Sequence, residues 1–226
     1  MCGFAALFES ERTFDPYLLS SIDGDLSHRG PDSAGRFSEK GFALVFRRLS
    51  ILDTSTKSDQ PMVDPTGRYI LVFNGEIYNY RELRHELKLK GSRFQTSGDT
   101  EVLLQGYAAW GEAVLDRLEG MFAFVIVDRV TRTVTAARDP FGIKPLYICR
   151  HGELVGFASE ARPLRRLKDQ GADVTAMSEL LLFRFAAGRL SNFVGIDRVL
   201  PGSVIRTGLN RQRYSEHRYN DVLDTL

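Results

Sequence analysis

The chain has 226 residues, 43% hydrophobic and 26% charged, and a net charge of +1. Such usage excludes collagenous, coiled-coil and disordered classes, and the balanced charge lacks the positive field that nucleic acid or an anionic membrane requires. Its longest fully apolar run, residues 121–127, falls far short of the ~20 residues of a spanning helix. Two cysteines give no disulfide framework. The start of the chain lacks a basic segment and soon meets Glu9 and Glu11, so no secretory signal is read. A folded cytoplasmic protein is expected.

In chain order, residues 3–8 form a short apolar run of strand length, and residues 42–46 form another. Residues 69–73 are β-branched and aromatic, and stop at Asn74-Gly75, a turn dipeptide. Residues 81–89 place Leu83, Leu87 and Leu89 on one side of a charged helix, and 99–110 opens acidic before Val102, Leu103 and Tyr107 recur at helical spacing. Residues 121–127 have no polar face, as befits a strand buried on both sides. Further strands are expected at 133–137, 146–149 and 154–158, with Cys149 as a core residue. Residues 177–185 are apolar nearly all round and read as a buried helix. Strands and helices are grouped rather than alternating, which favours two mainly antiparallel sheets with helices outside over a doubly wound parallel sheet. Residues 210–226 lose the apolar rhythm and read as a tail or the start of a linker, leaving 1–209 as one domain.

The chain carries no phosphate-binding glycine loop and no G-x-S-x-G elbow, and its four histidines show no metal-ligand spacing. No metal is therefore expected. What remains is Cys2. The small second residue favours removal of Met1, which leaves a thiol of ordinary pKa ~8.5 and an α-amine of ~7.7–8.0 on one residue. That is a nucleophile with its own base; the blander reading is a chain end or a small buried side chain. Arg48 at a strand end offers a planar fork for a carboxylate, or is a solvated arginine. Asn74 and Gly75 read as a hairpin turn, or as an amide and a backbone N–H forming a two-donor oxyanion site. Ser97 or Asp99 caps a helix, or Asp99 holds an ammonium. The turn at His28-Arg29-Gly30-Pro31-Asp32 reads as a connection between a helix and a strand.

Met1-Cys2-Gly3, His28-Arg29-Gly30-Pro31-Asp32, Arg48-Leu49-Ser50-Ile51, Gln60-Pro61, Asn74-Gly75-Glu76-Ile77-Tyr78-Asn79, Gly120-Met121-Phe122-Ala123-Phe124, Arg138-Asp139-Pro140-Phe141-Gly142-Ile143-Lys144-Pro145-Leu146-Tyr147 and Ala158-Ser159-Glu160 follow one another in this order. This series resembles the class II glutamine amidotransferase domain, in particular that of glutamine-hydrolysing asparagine synthetases, over nearly the whole chain. Ser33-Ala34-Gly35 is similar to the glucosamine-phosphate and phosphoribosylamine-forming relatives instead. The resemblance implies an α+β, four-layer αββα N-terminal-nucleophile sandwich. It implies that Cys2 attacks the carboxamide of L-glutamine while Asn74 and Gly75 stabilise the oxyanion. Arg48 is then expected to pair with the α-carboxylate, Glu76 and Asp99 with the α-ammonium, and the backbone at Ile51 and Leu52 to line the pocket. It further implies a partner, the ammonia-accepting synthetase domain or subunit, with ATP and magnesium belonging there and no cofactor here. A non-catalytic glutamine-binding or scaffold domain on the same fold is the alternative, and a homodimer is open.

Overall fold

The computed structural model describes residues 1–168, 171–209 and 214–220. In chain order it contains strand β1 (Gly3–Phe8), helix α1 (Pro16–Leu26), strands β2 (Ser33–Glu39), β3 (Phe42–Arg48), β4 (Met62–Val63) and β5 (Tyr69–Ile77), then helices α2 (Tyr80–Leu89) and α3 (Asp99–Trp110). Strands β6 (Gly120–Asp128), β7 (Thr133–Arg138), β8 (Tyr147–His151) and β9 (Leu154–Ala158) follow, then α4 (Ala161–Arg165), α5 (Val174–Phe183), β10 (Ile196–Arg198), β11 (Ser203–Gly208) and β12 (Ser215–Arg218). Two six-stranded sheets result, ordered β10-β8-β9-β1-β3-β2 and β12-β11-β7-β6-β5-β4. Neighbouring strands pair antiparallel throughout, as their grouping in the sequence led us to expect.

Three buried clusters separate four layers. Phe4, Phe8, Phe42, Leu44 and Phe46 from the first sheet meet Ile70, Val72, Val125 and Val127 from the second. The outer face of the second sheet packs Leu71, Phe73 and Phe124 against Leu83 and Leu87 of α2 and Val102 and Leu103 of α3. Ala5, Leu7, Ala43 and Val45 on the outer face of the first sheet meet Leu19, Ile22 and Leu26 of α1 and Leu164 of α4. Strands covered on both faces have no polar register, which is why β1, β6 and β9 read as unbroken apolar runs.

Several features depart from the sequence reading, among them the following. Strand β5 does not stop at Asn74-Gly75 but runs through both to Ile77, paired with β6 along its whole length. Helix α1 was not read from the sequence, although Leu19, Ile22 and Leu26 recur at helical spacing behind a clear start: Asp15 accepts from the Tyr17 N–H at 2.9 Å and Pro16 occupies the first turn. Helix α5 forms, yet only Ala176 is buried, and Leu181, Leu182 and Phe183 lie open at 79%, 75% and 62% exposure. Apolarity all round a helix predicts burial only where a second layer covers it. Within the expected tail, Ser215–Arg218 adds an edge strand to β11; residues 210–213 and 221–226 lie outside the described residues. No described helix is long and apolar enough to cross a membrane.

Candidate active site

Strand β1 is internal to its sheet, so the residue just before it, Cys2, is held at the sandwich edge next to β3. Its thiol extends the ladder: the Leu49 N–H donates to Sγ at 3.4 Å and Sγ donates to the Leu49 carbonyl at 3.5 Å. The Cys2 carbonyl accepts from Arg29 Nε at 3.0 Å, and Arg29 is held by Glu160 at 2.9 Å. Gly3 permits this, because a Cβ there would lie 2.9 Å from Arg29 Cδ. Burial pushes the Cys2 thiol up, while the Leu49 hydrogen bond, the N-terminal charge, Arg48 and Lys144 pull it down.

The second sheet supplies the facing wall. Asn74 is 2% exposed, and its Nδ2 is buried with no hydrogen-bond partner. A donor in that state carries a desolvation cost of ~1–3 kcal/mol until an acceptor arrives. Gly75 sits opposite Phe122 of β6, and a Cβ on it would lie 2.4 Å from the Met121 carbonyl oxygen, so the strand passes here only as glycine. Gln60 fixes the position of this segment by acting as a strand edge: its Oε1 accepts from the Phe73 N–H at 2.6 Å and its Nε2 donates to the Phe73 carbonyl at 3.1 Å.

Asp99 begins α3, but the capping position is Gly98, not Ser97 or Asp99 itself. Its Oδ2 instead accepts from the Ile77 N–H at 3.0 Å, tying the helix start to the end of β5. Burial, and secondarily the negative charge of Glu76, raises the Asp99 carboxyl, against the pull of backbone N–H donors. Two carboxylates on one rim, with one of them desolvated, form a place for a cation.

Arg48 lies at the end of β3 as expected, but it is buried rather than solvated. Its NH1 donates to the Ser55 carbonyl at 2.9 Å and to Asp59 at 2.8 Å, and its NH2 to the Asp53 and Leu52 carbonyls. It thus holds the loop that carries Ile51 and Leu52 over the cleft, both of them exposed. Asp53 closes that loop from outside by accepting from the N–H and hydroxyl of Ser97; the Ser55 hydroxyl first, and then Ser97, hold its carboxylate below the usual range.

Cys2, Arg48, Ile51, Leu52, Asn74, Gly75, Glu76 and Asp99 all line one cleft of about 540 Å³. All eight residues named from the sequence therefore converge. Among the other lining residues, Met1, Ser58 and Lys144 had been given no place in the pocket. Lys144 lay inside a recognised motif and was legible there; Ser58, with a buried and unpartnered hydroxyl, carried no signal. The turn at residues 28–32 is the expected connection between α1 and β2, with a 3-10 turn at Ser27–Arg29, and it also delivers Arg29 to Cys2. Among the described residues, no cluster of three His, Cys, Asp or Glu side chains is arranged to hold a metal ion.

The family model described as a glutamine amidotransferase domain matches residues 1–220. The chain is 40% identical over 208 residues to asparagine synthetase [glutamine-hydrolyzing] 1 of Bacillus subtilis, covering 90% of this chain and 33% of that protein. It is 32% identical over 239 residues to asparagine synthetase [glutamine-hydrolyzing] 3 of the same species, covering 99% and 38%. The chain thus spans about a third of the length of these relatives. Among solved structures, the B. subtilis glutamine phosphoribosylpyrophosphate amidotransferase complexed with ADP and GMP superposes with a TM-score of 0.68 at 22% identity, over 97% of this chain and 49% of that one. A structure described as the allosteric regulatory enzyme of purine biosynthesis superposes at 0.72 with 21% identity, over the same shares. These two likenesses establish the fold.

Proposed function

The chain belongs to the glutamine amidotransferase domain family, and from that premise we propose that it hydrolyses L-glutamine to L-glutamate and ammonia through Cys2. The observation that carries the reading is the buried, unpartnered Nδ2 of Asn74 in the same cleft as the Cys2 thiol. With Met1 removed, the free α-amine of Cys2 takes the thiol proton and sulfur attacks the side-chain carboxamide carbon. The carbonyl oxygen, negative in the tetrahedral intermediate, is received by Asn74 Nδ2 and the Gly75 N–H. The proton passes from the α-amine to the leaving nitrogen, the C–N bond breaks and ammonia departs. Water, deprotonated by the same amine, then cleaves the γ-glutamyl thioester and restores the thiol. Glu76 and Asp99 hold the substrate α-ammonium. Arg48 pairs with the α-carboxylate as the carbonyls of Leu52 and Asp53 yield its NH2.

Ammonia is then used by an ATP-dependent, amide-forming synthetase domain or subunit. The relatives' additional length supports such a partner, as do two exposed apolar stretches, Leu181 to Phe185 and Phe141 to Ile143, which a further domain would cover. A free thiol as nucleophile suits a reducing compartment, so the cytoplasm is the proposed location.

The test is the intact mass of the purified chain before and after incubation with a diazo-ketone analogue of glutamine, alongside an assay of glutamate release. Loss of Met1, a single adduct absent from Cys2→Ala, and glutamate release that this variant lacks are expected. A processed chain that binds glutamine yet neither labels nor turns over would overturn the reading in favour of a binding domain.

A further inference from the structure

Asp139 is fully buried and collects backbone donors: Phe122 N–H at 3.2 Å, Phe141 at 3.1 Å, and Ile143 and Lys144 at 2.9 Å each. Arg138 closes the same loop from the other side, donating to the carbonyls of Gly142 at 2.7 Å and Lys144 at 2.8 Å. Phe122 is the strand partner of Gly75, so the loop is bolted to the floor of the cleft and Lys144 is presented from a fixed backbone. Lys144 is 7% exposed and lines the Cys2 cleft. A buried ammonium is ordinarily paired. Among the described residues none of the ion pairs involves Lys144, and the contact of Nζ is the Met1 thioether sulfur at 3.7 Å.

The other cations beside Cys2 are already matched. Arg29 has Glu160, and Arg48 has Asp59. Glu76 and Asp99 face the same cleft from β5 and α3 and are assigned above to the substrate ammonium. Removal of Met1 takes away the sulfur and leaves the Lys144 ammonium facing the new N-terminus. Bond lengths within Met1 place the Cys2 nitrogen no more than about 10 Å from Nζ. At that range, in a partly desolvated cleft, one positive charge displaces a titration by roughly half to one pH unit.

We propose that Lys144 is a positioning residue acting through Cys2, its ammonium biasing the processed N-terminus toward neutral amine and thiolate. A cation costs least beside an uncharged amine and gains most beside a thiolate, so it keeps the amine free to accept before the transfer and stabilises the sulfur anion after it, while making the transferred proton easier to pass on to the leaving nitrogen. Lys144 neither accepts nor donates the transferred proton. The inference rests on the proposed glutaminase reading for its purpose, though not for its measurement.

The experiment uses the chain beginning at Cys2, released from a cleavable leader where native processing is incomplete, with Lys144→Met, Lys144→Gln and Lys144→Arg. The first readout is the rate of Cys2 alkylation by iodoacetamide against pH, with the adduct located on the N-terminal peptide by mass. The second is the acid limb of glutamine hydrolysis. Lys144→Met and Lys144→Gln should move the alkylation midpoint upward by roughly half to one pH unit, and Lys144→Arg should restore it. Superimposable profiles for wild type and the neutral variants, or an arginine variant that behaves like methionine, overturn the proposal. Should one neutral variant fail to melt cooperatively, the other decides. A shifted alkylation midpoint in a chain that releases no glutamate would uphold Lys144 and refute the glutaminase reading, so the two fail separately.

Discussion

Replacing Asn74 separates catalysis from folding more sharply than any other change at this site. Its Nδ2 is buried and donates to nothing in the folded chain. Deleting that donor in Asn74→Ala recovers the desolvation cost of an unsatisfied amide, ~1–3 kcal/mol. Against this stands lost packing in a cleft wall that faces solvent on one side, of similar size and opposite sign. The two offset, so the urea midpoint should stay within about 1 kcal/mol of wild type. Turnover behaves differently. The carbonyl oxygen is a neutral acceptor in bound glutamine and an anion in the intermediate, so a hydrogen bond from Nδ2 strengthens as the transition state forms. Loss of one such donor costs ~10²–10³ in kcat, about 2.7–4 kcal/mol, by analogy with hydrolases. The assay is glutamate release followed by a coupled dehydrogenase, with glutamine KM measured in parallel. The expected pattern is a collapse of kcat, a KM changed by less than about threefold and an unmoved melting profile. Asn74→Asp should be worse than alanine, because a carboxylate there repels the oxyanion. Full turnover in Asn74→Ala would refute the reasoning, as would a fall in kcat matched by unfolding.

Two further outcomes are expected. In Asp99→Asn the amide oxygen still accepts from Ile77 while the charge is lost, so glutamine KM should rise roughly 10- to 100-fold, the scale of a hydrogen bond to a charged group. The raised carboxyl of Asp99 means the folded state binds this proton more tightly than the unfolded one. Its ionisation therefore costs stability as pH rises from its unfolded value, and urea midpoints at pH 4 and pH 7 should lie closer together in the variant, all else equal. Asp53 has the opposite sign. Its depressed carboxyl contributes above the unfolded value of ~3.9 and loses that contribution as pH falls through the folded one. Because Asp53 is largely solvated, Asp53→Ala should cost only a little global stability at neutral pH, yet free the loop around Ile51 and Leu52 from Ser97. Limited proteolysis should then cut there faster at neutral pH, and unchanged cleavage would show that Arg48, with Asp32 accepting from the Ser50 N–H at 2.7 Å, holds the loop without it.

How legible the fold was depended on whether one layer or two covered each segment. Strands β1, β6 and β9 are buried on both faces and announced themselves as apolar runs. Strand β2 is an edge, with Arg36 reaching out to Asp23 of α1, and its mixed composition hid it. Helix α5 is the reverse case, apolar in sequence but uncovered within the described residues, so hydropathy alone assigned it to an interior it does not occupy.

The site was legible to a different degree for a different reason. Reading Asn74-Gly75 as a hairpin turn was sound by local preference, and it failed because Gly75 serves a close strand rather than a turn. The space a Cβ would need is taken by the Met121 carbonyl, a contact set by tertiary pairing and invisible along the sequence. Arg48 shows the same limit: residue type foretold a carboxylate fork, but the backbone carbonyls that occupy it belong to a loop whose path only the fold reveals. Residue chemistry, then, announced which groups would gather, and packing decided which of them arrive already engaged. Nδ2 of Asn74 arrives unengaged, and it is the donor assigned to an oxygen whose negative charge exists only during the reaction. Arg48 arrives occupied, and it is assigned to a carboxylate present throughout binding. That ordering is the physical signature expected if binding energy is held back for the transition state; on the role proposed for Arg48, the loop from Ser50 to Ser55 is the element that yields when substrate enters.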